Sequence, residues 1–475
     1  MAKDFIVAIE LGSSKITGVA GKKNPDGSIS ILAVAKEDSA SYIRKGVVYK
    51  IDRTAQGLSN ILTKLKNTLQ TDIAQVYVGI GGQSIRSVKN LIIKDLPSDT
   101  IVSQEMVNEL MDANRNMVYP DYEIQDAITE EYKVDALYQS DPVGIQALHL
   151  EGNFLNILWR RSFYRNLNKS LDNAGITVAE MYLAPLVMAD NVLAEAEKRA
   201  GCVLVDLGAE TTTIQVYYRD KLRSIAVLPL GSANVTKDLE SLQLDEKEAE
   251  EMKTKYASAV TDVENIDPQE TLAIDSTRSL SKLQFIEVVE ARMLEIIENV
   301  KNLIPTEYAD KLPGGVILTG GGSNMQNIDR AFREVLGCEK VRVAKTVTLN
   351  INTRESACKL PADGTMNTVL SILAKGNMNC AGREFSDNLF DEEHFSETPV
   401  PQSPEAVANE ALRRQQQQLE EERLRREAEA KRLSEQRTPE PEPKPEEPKR
   451  ESSFSRFFGS LKKFGRSLVE PDTNE

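Results

Sequence analysis

Two short stretches of this chain carry residues whose types and spacing suit the handling of phosphate. In IVAIELGSSKITGVA, residues 6–20, an apolar run meets Glu10, then Gly12, Ser13 and Ser14, then a second apolar run. The stretch CVLVDLGAETTTIQVY, residues 202–217, repeats the plan with Asp206 as the acid and Gly208 as the glycine. A Gly/Ser turn between two strands can aim consecutive backbone N–H groups at an anion. Gly12 permits close approach, and Ser13 and Ser14 add hydroxyls. Glu10 and Asp206, at strand ends, could hold a hydrated magnesium ion, which keeps several waters and takes few carboxylates. Either stretch alone also reads as an ordinary tight turn, so the pairing is what points to phosphate. A third stretch, GGVILTGGGSNMQNIDRAFREVLG at 314–337, ends a buried run in Gly320, Gly321 and Gly322, with Asn324 placed to cap the helix that follows. Bare glycine backbone at a helix start lets a flat base or a phosphate lie close.

The elements that must position these turns alternate in type. IVAIELG and ISILAVAKED read as strands, TAQGLSNILTKLKNTL as a helix and AQVYVGIGG as a strand again, which makes residues 1–385 an α/β unit. Two similar hairpins predict two related half-domains facing one another across a cleft. At 475 residues the chain exceeds one core, and roughly 150 residues per domain predicts two or three. The amino terminus has too short an apolar run for a secretory signal, and no window is apolar enough to span a membrane. Cys202, Cys338, Cys358 and Cys380 lack metal-type spacing and, with only His149 and His394 beside them, read as core thiols in a reducing cytoplasm. A net charge of -15 argues against nucleic acid as a partner, because that needs a basic surface.

Composition changes near residue 385: 8 of the 19 prolines lie between 396 and 451, where no aromatic residue occurs, so this stretch reads as a flexible spacer. Within it EALRRQQQQLEEERLRREAEAKRL has i,i+4 acid-to-base pairs but no leucine heptad, as expected of a solvated helix or a partly disordered segment. The chain then turns basic and aromatic in SSFSRFFGSLKKFGRSL, residues 452–468. On a helical wheel Phe454, Phe457, Phe458, Leu461, Phe464, Leu468 and Val469 share an arc of about 140°, with Arg456, Lys462, Lys463 and Arg466 opposite. That is the layout of a helix lying in the interface of an anionic membrane. A helix docking on protein would have the same apolar face.

The three glycine-bearing stretches, in this order, resemble the two phosphate loops and the adenosine loop of the actin, Hsp70 and sugar-kinase (hexokinase) superfamily. Within it the chain resembles the FtsA family of bacterial cell division proteins, over about residues 4–380 and again at the tail. The segment EEYKVDALYQSDPVGIQALHLEGNFLNIL at 130–158, with Asp141-Pro142-Val143-Gly144, is similar to that family's subdomain 1C. The resemblance implies an actin-like fold with 1–80, 165–200 and 351–385 as subdomain 1A, 81–164 as 1C, 201–237 and 304–350 as 2A, and 238–303 as 2B. A linker at 386–451 and a membrane-targeting helix at 452–469 would follow. It implies ATP and Mg2+ as cofactors, with Gly12, Ser13, Ser14 and Lys15 in the first phosphate loop, Asp206, Gly208, Ala209 and Thr211 in the second, and Gly320, Gly321, Gly322 and Ser323 at the adenosine. Glu10 and Asp206 would hold the metal through water. Implied partners are the tubulin-like FtsZ, further copies of the chain in protofilaments, later division proteins and an anionic membrane surface, at the cytoplasmic face of the septum.

Two departures from the superfamily pattern bear on chemistry. Glu210 stands where the second loop usually has glycine, and a carboxylate facing phosphate would repel it unless turned away. Ala184, in YLAPLVMAD, stands where a water-positioning Glu or Gln is usual, so hydrolysis should be slow or absent. A sugar kinase would need a carboxylate where Ala184 and Thr213 stand, a chaperone a β-rich domain after 385, and a pilus-assembly ATPase would not require the tail. The patterned helix KLQFIEVVEARMLEIIENVKNLI offers Arg292 as a partner-facing cation, by resemblance to subdomain 2B.

Overall fold

In the computed structural model, the described residues are 4–262, 267, 269–353 and 359–384. The spacer, the basic amphipathic tail, its ten candidate membrane residues and Cys358 lie outside them.

The strand Ile6–Leu11 is buried through its first four residues and pairs antiparallel with Lys15–Lys23, setting Glu10 opposite Thr17 and Leu11 opposite Ile16. On its other side it runs parallel to Val76–Ile80. Cys202–Leu207 repeats this arrangement. It pairs antiparallel with Thr212–Tyr218, setting Asp206 opposite Thr213 and Leu207 opposite Thr212, and runs parallel to Gly315–Thr319. Such continuous apolar runs are what a strand covered on both faces requires.

Each hairpin is the centre of a larger sheet. In the first lobe the order is Val178–Leu183, Val76–Ile80, Ile6–Leu11, Lys15–Lys23, Ile29–Asp38 and Ile351–Thr353. In the second it is Val341–Val343, Gly315–Thr319, Cys202–Leu207, Thr212–Tyr218 and Lys221–Leu228, followed by four more strands. The two predicted half-domains are therefore present, built on the same strand order. Those four strands, Arg86–Ile101, Gln146–Arg160, Tyr122–Val134 and Leu137–Gln139, come from a segment inserted in the chain between two strands of the first lobe. The insert has a core of its own, in which Leu110 of the helix Gln104–Arg115 joins Tyr132, Leu150 and Phe154 of the strands.

Where the insert meets the second lobe, only Ala226 and Arg86 pair as strand partners, and side chains do the rest. Arg223 Nη1 reaches Glu130 Oε1 at 3.3 Å with 8% and 6% of the two side chains exposed. Lys221 Nζ donates to the carbonyls of Glu130 at 2.6 Å and Thr129 at 3.2 Å. A buried charge is tolerated when it is paired and hydrogen-bonded in this way. Among the described residues no helix is long and apolar enough to cross a membrane.

Cys202 and Cys380 are buried, as expected of core residues, but Cys338 is half-buried. Burial pushes the Cys202 thiol up to about 12, which keeps it protonated and inert.

Candidate phosphate-binding cleft

The two hairpin turns close in the same way. Gly12 N–H donates to Lys15 O at 3.0 Å, and Gly208 N–H donates to Thr211 O at 2.8 Å. A Cβ at either glycine would stand 2.8 Å from that same carbonyl oxygen, so glycine is required by space at both. Each turn is braced through its carbonyls. In the first, Gly12 O accepts from Ser39 Oγ at 2.6 Å and Ser14 O from Ser39 N–H at 3.0 Å. In the second, Gly208 O and Ala209 O accept from the amides of Ser232 at 3.0 Å and Ala233 at 2.7 Å, at the start of the helix Ser232–Leu239. A trans peptide points its N–H opposite its C=O. The N–H groups of Ser13 and Lys15 in one turn, and of Ala209 and Glu210 in the other, therefore point away from these braces, which is the arrangement an anion nest needs.

Gly320 brings the third stretch against the second hairpin. Its φ is +83°, and a Cβ there would lie 2.3 Å from Asp206 Oδ1 and 2.6 Å from Leu207 O. Gly321–Asn324 forms a single 3-10 turn. The expectation that Asn324 caps the next helix is overturned: that helix, Ile328–Leu336, begins after Asn327, and Asn324 Nδ2 donates instead to Gly321 O at 3.1 Å and Asp363 O at 2.7 Å. Three residues of left-handed or extended backbone intervene, which a cap motif read from spacing alone does not reveal.

The two candidate metal-binding acids sit close enough to feel one another. Burial, then the negative charge of Asp206, pushes Glu10 up to about 7, against the opposing pull of Lys15 and hydrogen bonds from Thr368 and the Val369 amide. Burial pushes Asp206 up to about 6. Two half-hidden carboxylates raised in this way are a donor set that a divalent cation would relieve, so the residues fit a hydrated magnesium. Among the described residues no cluster of three or more His, Cys, Asp or Glu is arranged to hold a metal by itself. Glu10 also has a structural part. Thr368 and Val369 belong to the first turn of the helix Asn367–Lys375, whose cap residue Met366 makes no side-chain bond, so Glu10 satisfies donors at that helix start. Neighbouring Asn367 Nδ2 holds Thr319 Oγ1 and Ala344 O, both at 2.9 Å.

Of the remaining site expectations, Ser13 is buried with its Oγ accepting from Gly46 N–H at 2.8 Å. Ser323 is buried and its Oγ donates to Gly320 O at 2.7 Å, which fits a brace for that turn more than a ligand contact. Glu210 turns aside: its Oε2 accepts from Lys45 N–H at 2.6 Å. Ala184 is buried at the start of the helix Ala184–Val192 and offers only a methyl group there. Arg292 is taken up within its own neighbourhood, by Asp238 at 2.5 and 3.0 Å and by Glu295, which argues against a cation held free for a partner. Sequence reasoning missed Ser39, Ser232, Thr368 and the Lys45–Gly46 turn. The one available signal was the polar Asn367-Thr368 pair opening an otherwise apolar helix.

The chain is similar to known proteins in sequence and in fold. The family model described as "Cell division protein FtsA" matches residues 203–360, and that described as "SHS2 domain inserted in FTSA" matches 82–158. The cell division protein FtsA of Porphyromonas gingivalis is 32% identical over 336 residues, covering 69% of this chain and 70% of that protein. FtsA of Pseudomonas aeruginosa is 29% identical over 340 residues, covering 70% of this chain and 81% of that one. Among solved structures, a chain of the PilM-PilN type IV pilus biogenesis complex superposes with a TM-score of 0.54 at 15% identity, covering 78% of this chain and 97% of its own length. That last likeness speaks to fold alone. The fold is the actin-like one, with the inserted domain attached.

Proposed function

We propose that this chain, which belongs to the FtsA family of cell division proteins, binds ATP with magnesium, forms protofilaments, and tethers FtsZ to the cytoplasmic face of the cell membrane in the division ring, where later division proteins join it. The observation that carries the nucleotide part is the matched pair of hairpins, each with its glycine closed on the same backbone bond and its carbonyls drawn to one side. Gly12 to Lys15 and Gly208 to Thr211 would cradle phosphate by backbone amides, with Gly320 to Gly322 beside the adenosine. Glu10 and Asp206 would hold the magnesium through its waters, and the ion would supply charge neutralisation at the phosphates. Ala184 cannot orient a water, so turnover should be slow and nucleotide acts mainly on conformation.

The membrane part rests on residues 452–469. Phenylalanines and leucines along one face would enter the acyl region, and four cations would meet anionic headgroups. The spacer, as a flexible coil, would span roughly 40 Å and let the folded part stand off the bilayer. Co-pelleting with anionic liposomes, with and without ATP and FtsZ, tests the reading. The wild type should pellet and bring FtsZ with it. Phe457→Glu with Phe458→Glu should abolish pelleting yet leave FtsZ binding in solution intact, and an unrelated basic amphipathic helix should restore it. A double variant that still pellets, or that loses FtsZ, would make the tail a protein-docking element.

A further inference from the structure

Resting on the reading of the cleft as a nucleotide site, we propose that Glu210 is a positioning residue that ties the second phosphate loop to the Lys45–Gly46 turn and thereby sets how fast the lobes part to release nucleotide. The turn joins the two-residue strands Ile43–Arg44 and Val47–Val48, and its φ angles are 50° at Lys45 and 71° at Gly46. Its two successive amides go to different lobes. Gly46 N–H donates to Ser13 Oγ in the first phosphate loop at 2.8 Å, and Lys45 N–H donates to Glu210 Oε2 in the second at 2.6 Å.

The turn is otherwise held to chain that leaves the first lobe's strand Val76–Ile80. Gln83 N–H donates to Lys45 O at 2.8 Å and a Cβ at Gly46 would stand 2.5 Å from Gly82 Cα, both just past that strand, and Ile43, Val47 and Val48 are buried in a core that the first lobe shares with parts of the insert and of the second lobe. When the two loops separate the turn can therefore stay with Ser13 and Gln83, and the Glu210 bond is one contact that must break. A carboxylate accepting from a backbone amide is a charge-assisted bond, stronger than its neutral equivalent. Glycine at 210 would leave the turn without this partner. The residue that departs from the usual loop pattern is thus spent on a contact between the lobes, which resolves the conflict between its charge and a phosphate.

The test uses the full-length chain and a fluorescent ATP analogue with magnesium. Dissociation is followed by displacement with unlabelled ATP, for the wild type, Glu210→Ala and Glu210→Gln. Hydrogen exchange of the peptide spanning residues 43–48 is measured in parallel without nucleotide. Glu210→Ala should release the analogue about threefold to tenfold faster, the range expected for losing one partly exposed charge-assisted bond, and residues 43–48 should exchange faster. Glu210→Gln keeps an acceptor oxygen and should recover most of the slow release, which a loop merely loosened by mutation would not do. Unchanged or slower release from Glu210→Ala would overturn the proposal, as would Glu210→Gln releasing as fast as the alanine variant. If the wild type binds no nucleotide, the nucleotide reading fails on its own account. The exchange arm then decides the tie, with equal protection of 43–48 in wild type and Glu210→Ala counting against it.

Discussion

The two lobes share a strand order but not a boundary. Both place a hairpin beside a parallel strand that ends in glycine, yet the first lobe's sheet stops at six strands while the second continues to nine. The extra strands come from chain inserted in the first lobe, so the insert is covalently part of one lobe and hydrogen-bonded to the other. What a lobe is made of is therefore not read from where its chain lies. The hairpins differ in a parallel way. Ser13 in the first turn bonds within its own lobe, whereas Glu210 in the second reaches across to the other. Symmetric backbone makes the cleft, and unsymmetric side chains connect its walls.

The largest effect should come from breaking the seam between insert and second lobe. Glu130→Ala would leave Arg223 buried without its partner, and such a loss typically costs about 3–5 kcal/mol, readable in a denaturant titration. Replacing both Glu130 and Arg223 with Met should cost far less. A cost under about 1 kcal/mol for the single change would mean that the pair is effectively solvated and the seam weak.

Next in size is an asymmetry between the glycines that end the central parallel strands. Gly320→Ala must adopt a φ of +83° and displace Asp206 Oδ1 from 2.3 Å, whereas a Cβ at Gly81 meets nothing within 4 Å. Strain of this kind costs about 1–3 kcal/mol, so Gly320→Ala should lower the melting temperature and abolish ATP binding, while Gly81→Ala leaves both near the wild type. Equal effects would remove the special role given to the third stretch.

Much of this was legible in the residues themselves. Alternating strand and helix patterns gave the α/β class, and the two acid-to-glycine hairpins gave the paired halves, because a buried strand entering a tight turn leaves a local signature. What stayed hidden was set by contacts between distant segments. Ser39 and Ser232 look like ordinary loop residues until their bonds to the turns are seen, and Thr368 gains its part only because Glu10 lies at the foot of its helix. Asn324 misled because it ends a short 3-10 turn, and three residues, the last a left-handed Asn327, separate it from the helix. The seam at Glu130 and Arg223 had no sequence signal at all, since neither is the only charged residue in its strand.

The hairpins themselves should respond alike. A Cβ at Gly12 or Gly208 meets the same kind of carbonyl at the same 2.8 Å, so Gly12→Ala and Gly208→Ala should weaken ATP binding by similar factors, about tenfold or more if one nest amide contact is lost in each. A large difference in calorimetric titration would show that one loop alone carries the phosphates. The smallest expected change is a gain. Ala184→Gln places a polar side chain where water would need orienting, and should raise phosphate release by a few-fold at most because the site around it is otherwise apolar. A rise to roughly 1 per second would mean that Ala184 was the only barrier to turnover.

The central claim is that both hairpins face one bound nucleotide. Calorimetric titration of ATP into the wild type, with and without magnesium, and into the Gly12→Ala, Gly208→Ala double variant tests it most directly. The account predicts one site, tighter with magnesium, lost when both turns are altered while the circular dichroism spectrum is kept. Binding that survives the double change, or that ignores magnesium, would contradict it.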